Sequence, residues 1–149
     1  MEGQVARRSI LLIAFHGVLL VVLGMLVGLP FANAITSHSG PEAERAWRVA
    51  HASLVTAGTL YIAIAAIAHH LILPRPAAAF VTWSFVLSAY AFAFAFVVGP
   101  VVGARGLEPT GPPLNVLVFV ILVPALLASL ISVVLVLWGL FAALRREPS

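Results

Sequence analysis

Four long apolar stretches, separated by short polar or proline-rich breaks, occupy most of the 149-residue chain. They cover residues 10–29, 47–73, 77–98 and 114–144. A helix needs about 20 apolar residues to cross a bilayer core, and each stretch supplies that. The pattern therefore predicts an all-α fold: an integral membrane four-helix bundle forming a single transmembrane domain over residues 1–149.

The breaks carry their own signals. Pro30 lacks the amide that a continuing helix needs and is expected to end the first span. Residues 31–46 then read as a polar loop with Ser37, Ser39, Gly40 and Pro41. Pro41-Glu42-Ala43-Glu44 looks like a helix start, with proline in the first turn and acids at the positive dipole end. Pro74-Arg75-Pro76 is a tight turn that makes the second and third spans antiparallel neighbours. The Gly- and Pro-rich run 99–113 reads as a loop, and Pro124 is expected to kink the fourth span.

Composition agrees with this reading. The chain is 62% hydrophobic and 9% charged, whereas soluble domains carry about 25% charged residues. The first span is longer than the roughly 7–15 apolar residues of a signal peptide, so it is kept as a mature helix. A net charge of +3 could suggest nucleic acid, but the arginines sit at span ends. Arg7, Arg8, Arg75, Arg145 and Arg146 fall on one side, and Arg45, Arg48 and Arg105 on the other. By the positive-inside rule both termini face the cytoplasm. The expected setting is a multi-pass protein of a bacterial inner membrane, with lipid as its surroundings and no nucleic-acid partner.

Few side chains remain for chemistry. With no Cys, thiolate metal sites and disulfides are excluded. With no Asp, and no Glu inside a span, a hydrolytic triad and an acidic proton relay are excluded as well. The glycines form no phosphate-binding loop. Five histidines are left: His16, His38, His51, His69 and His70. His38 is a loop residue. His51 lies roughly 6 Å inside the second span and His16 roughly 20 Å from the outer end of the first, at about 1.5 Å rise per residue. One iron cannot easily take both. Two arrangements stay open: a single-histidine site at His51, or a bis-histidine site of His16 with His69 or His70. A plain interfacial histidine beside Trp47 accounts for His51 equally well. Gly17, Gly24 and Gly28 form a smooth stripe suited to close helix packing, and self-association is expected from it.

The chain also resembles a known group. His16-Gly17-Val18-Leu19-Leu20 with Gly24 and Gly28, then Leu29-Pro30-Phe31-Ala32-Asn33, is similar to the first helix and loop of hydroxylaminobenzene mutases. Trp47-Arg48-Val49-Ala50-His51 resembles the start of helix two in styrene oxide isomerase. So do Arg105-Gly106-Leu107 and Pro124-Ala125-Leu126 further on. Leu137-Trp138-Gly139-Leu140 resembles the mutase C-terminus. The likeness runs in order over nearly the whole chain, through short motifs.

The resemblance implies a membrane isomerase that holds haem b through His51. Ferric iron would act as a Lewis acid, rearranging a small aromatic or apolar epoxide to a carbonyl compound. A mutase-like rearrangement of an arylhydroxylamine is the alternative, and a non-enzymatic haem sensor or electron carrier is a third. Trp47 and Arg48 would border the cofactor, Arg48 meeting a propionate. In both families the ligand histidine is followed six residues on by Asn and then Gly. Here Gly58 matches, but Ala57 stands where the Asn would be. Tyr90 or Thr56 is expected to supply the missing hydrogen-bond donor as the catalytic side chain. The resemblance also implies a homo-oligomer, as a trimer.

Overall fold

The structure, a computed structural model, describes residues 2–146; Met1 and residues 147–149 of the expected single domain lie outside the described residues. Four helices dominate: α1 (Arg7–Thr36), α2 (Pro41–Ile67), α3 (Arg75–Val102) and α4 (Pro113–Leu144). All four are long and apolar enough to cross a membrane, so the chain is a multi-pass membrane protein with an all-α bundle. Backbone groups in hydrocarbon must be satisfied within the chain, and helices do this residue by residue.

The helices overrun the apolar pattern. α1 continues through Pro30 to Thr36, because one lost amide bond is tolerated inside a membrane helix. Its end is closed by Ser37, whose amide and hydroxyl both donate to the Asn33 carbonyl, at 2.9 and 2.6 Å. α2 starts at Pro41, with Glu42 and Glu44 in its first turn. α3 passes through Gly99 and Pro100 and stops at Gly103, whose φ of 67° lies in the left-handed region that glycine favours. α4 likewise contains Pro124.

The second span ends sooner than its hydropathy suggests. A 3-10 turn, Ala68–His70, follows α2, and Ile72–Pro74 then forms a short strand, β2. It pairs antiparallel with an N-terminal strand, β1 (Glu2–Gln4), placing Gly3 opposite Leu73. Gly139 of α4 sits against Leu73 on the other side. The N-terminus, the α2–α3 turn and the end of α4 therefore share one face of the bundle.

At the opposite face, Asn115 organises the α3–α4 loop. Its side-chain oxygen accepts from the amides of Arg105 and Gly106 at 3.0 and 2.9 Å. Its nitrogen donates to the carbonyls of Glu108 and Thr110 at 2.9 and 2.7 Å. Arg105 in turn pairs with Glu42 at 3.3 Å, joining the loop to the start of α2. Both partners are exposed, so the pair positions the loop more than it stabilises it.

Packing is uneven. α1 and α2 are in extended contact, α3 rests on both, and α4 packs mainly on α3. Ser88 of α3 donates to the Ala125 carbonyl of α4 at 3.0 Å, and Tyr61 of α2 stacks edge-on with Phe85 of α3 at 4.6 Å. The α1–α2 contact is the tightest. A Cβ at Gly58 would lie 2.6 Å from the Gly17 carbonyl oxygen, and one at Gly24 would lie 2.7 Å from Val55 Cγ2. The glycine stripe thus lets two backbones of the same chain touch. It is not a free surface for a second copy, so the stripe no longer supports self-association.

Gly58→Ala should therefore cost about 1–3 kcal/mol, the range for overpacking a tight contact. Ala63→Val, on the exposed face of α2, should stay within about 0.5 kcal/mol. Thermal unfolding of the two variants in mild detergent checks this.

Candidate functional site

The close approach of α1 and α2 determines what surrounds His51. Its Nδ1 lies 2.8 Å from the carbonyl oxygen of Gly24. A carbonyl can only accept, so Nδ1 carries the hydrogen and donates it. In the neutral ring, Nε2 is then an unprotonated lone-pair donor. It has no hydrogen-bond partner among the described residues. Metal-bound histidines commonly have this arrangement, with the second nitrogen fixed on a carbonyl.

Two further α1 residues border the ring. A Cβ at Gly28 would come 3.3 Å from His51 Nδ1, so glycine there leaves the imidazole room to lie flat against α1. Phe31 stacks on the ring, with centroids 6.2 Å apart and planes 25° from parallel. Phe31 is helical only because α1 runs on through Pro30. The sequence reading placed Phe31 in a loop and missed both this stacking and the Gly24 carbonyl. The only hint was the match between the glycine spacing on one helix and His51 on the next.

The other expected site residues fall at different distances from this centre. Trp47, one turn before His51, is half-buried against the core. Arg48 is exposed and carries no ion pair among the described residues. Thr56 is exposed on a face of α2 about 140° around from His51, by the 3.6-residue turn. It is not brought to the imidazole.

Tyr90 is engaged elsewhere. His16 is buried on α1, with Nδ1 2.8 Å from the Leu12 carbonyl oxygen and Nε2 3.2 Å from the Tyr90 hydroxyl. By the same reasoning Nδ1 donates to Leu12, and the neutral Nε2 accepts the hydrogen of Tyr90. The pair is about 12 Å from Gly24 along α1, counted by helix rise. His69 and His70 are exposed in the 3-10 turn with their rings 3.8 Å apart, and the structure does not bring them to His16. No cluster of three or more metal-capable His, Asp or Glu side chains occurs among the described residues.

The fold and this centre define a class: a small multi-pass helical bundle with one imidazole nitrogen left free between its first two helices. Residues 10–141 match the family model for styrene oxide isomerase, so the chain belongs to the styrene oxide isomerase family. No curated protein and no solved structure matches the chain.

In the chemistry of its donor set, His51 would fit as a nitrogen ligand to a haem iron. The ring's orientation is fixed through Nδ1, while Nε2 is free and the adjacent helix face is smooth. Gly28→Val should push the ring off the Gly24 carbonyl while the helices still form. The 15N signal of His51 Nδ1, read beside the far-ultraviolet circular dichroism of the variant, checks this.

Proposed function

We propose that this chain is a haem b-dependent membrane isomerase that converts a small aromatic or apolar epoxide to a carbonyl compound. The observation that carries the reading is the hydrogen bond from His51 Nδ1 to Gly24, which leaves Nε2 free as a ligand, in a chain of the styrene oxide isomerase family. A bis-histidine carrier built on His16 is less well supported, because both nitrogens of His16 already have protein partners.

When bound, ferric haem supplies a Lewis acid able to polarise an epoxide oxygen. The chain's own residues do the rest. Gly24 and Phe31 hold the His51 ring in one tautomer and one plane. Arg48, exposed one turn before His51, is a cation that could meet a haem propionate. The apolar helices keep water from the reacting carbons, favouring migration of a group within the substrate over hydrolysis to a diol. The rearrangement is internal, so no atom is gained or lost and no redox partner is needed.

The arginine bias supports a topology with both termini in the cytoplasm. The protein is also proposed to self-associate, as a trimer. With the glycine stripe occupied within the chain, the apolar outer faces are the available contact surface. α4 is the least covered of the four helices.

His51→Ala should abolish haem binding and epoxide rearrangement together. His16→Ala and His69→Ala should leave the iron's coordination unchanged. The Soret band and product formation in the three variants check this. A His51→Ala protein with a full haem complement would show the ligand to be another residue.

A further inference from the structure

His16 is a buried titratable side chain in a membrane-spanning helix, and holding haem at His51 does not use it. Burying a polar ring in hydrocarbon is costly unless its nitrogens are paired, and here both are. The pairing has a directional consequence. Leu12 offers only a carbonyl, so it receives the ring hydrogen. Tyr90 must then donate its own hydrogen to Nε2. A phenol has one hydrogen and can also accept. With its hydrogen directed inward to His16, Tyr90 can offer a ligand only an acceptor. This reverses the role expected from the sequence, in which Tyr90 would replace an amide donor.

The surroundings point to a ligand. Tyr90 is 56% exposed although its hydroxyl is tied to a ring that is 4% exposed. Phe15, 63% exposed, meets the same imidazole edge-on at 5.2 Å. Two accessible aromatic rings therefore border one buried imidazole, and one of them carries the fixed acceptor oxygen, at a depth where water is scarce. An acyl chain fills such a surface but has no hydrogen to donate, so lipid leaves the acceptor unpaired. A hydrogen bond to a neighbouring hydrogen bond also polarises it, and the donation to His16 makes the phenol oxygen a better acceptor.

We propose that His16 and Tyr90 form a hydrogen-bond-accepting anchor for a small aromatic molecule that carries an N–H or O–H group. Tyr90 touches the ligand, and His16 is the positioning residue that holds the phenol hydrogen inward. As the part of the isomerase that selects its substrate, the anchor rests on the function proposed above and favours an aryl epoxide that also carries a hydroxyl or amine; as a binding site it stands alone. Its consequence is selectivity: an aromatic ligand with a donor binds better than the same ring without one.

The test uses 15N-histidine-labelled protein in detergent, with phenol and anisole as probes of equal ring and opposite donor capacity. His16→Ala assigns the His16 signals. The expected result is a His16 ring protonated at Nδ1, with an Nε2 signal that moves on adding phenol. Phenol should bind roughly three- to tenfold more tightly than anisole, the range of one net hydrogen bond. Tyr90→Phe should shift the Nε2 signal and erase the preference while the helices remain intact. A His16 ring protonated at Nε2 would overturn the proposal, as would equal binding of the two probes by the parent. A preference that survives Tyr90→Phe would also overturn it. If His51→Ala keeps its haem while the phenol preference holds, the isomerase reading fails and the anchor stands; the opposite pair of results leaves the isomerase without this anchor.

Discussion

The backbone contact between α1 and α2 is the constraint on which the rest depends. Gly17, Gly24 and Gly58 allow the two helices to approach until the carbonyl of one meets the α-carbon of the other. In hydrocarbon there is little hydrophobic drive to bring helices together, so close van der Waals contact must supply the attraction. The same approach puts the Gly24 carbonyl within 2.8 Å of His51 Nδ1. A packing feature thus becomes a chemical one, because the helix spacing fixes the tautomer of an imidazole on the facing helix.

Several polar groups inside this bundle are fixed in direction by a local carbonyl or a neighbouring side chain, whereas the buried hydroxyls of Tyr61, Ser129 and Ser132 have no partner among the described residues. Thr82 donates to the Ala78 carbonyl and Ser88 to that of Ala125. His16 bridges Leu12 and Tyr90. His51 is paired at Nδ1 and not at Nε2. Against His16, which is paired at both nitrogens, that difference marks the imidazole suited to binding something. Exposure would not have made the distinction, since His69 and His70 are more open and face each other.

Much of the fold was legible because bilayer thickness leaves a coarse mark on sequence. Four apolar runs gave four helices, and Pro41-Glu42-Ala43-Glu44 marked the start of α2 correctly. The prolines misled. Pro30 and Pro100 lie inside helices, since a missing amide weakens a membrane helix without ending it. Residues 71–73 are apolar enough to read as helix, yet the helix has ended before them and Ile72–Pro74 forms a strand paired with the N-terminal strand. The site was legible as a residue but not as an environment. His51 could be singled out by depth and resemblance, whereas its partners come from α1, some 20 to 27 positions earlier in the chain. Tyr90 could be placed by depth, but the direction of its hydrogen depends on His16, 74 positions away. Asn115 carried no periodic signal, although it organises a whole loop.

The central claim is that one histidine nitrogen, left free by a backbone carbonyl, holds ferric haem with an open coordination position. The absorption spectrum of the purified parent protein in its oxidised state tests it most directly. The account predicts a Soret band and charge-transfer features of high-spin ferric haem with a single histidine ligand. Low-spin bands of bis-histidine ligation, or no Soret band after reconstitution with haem, would contradict it.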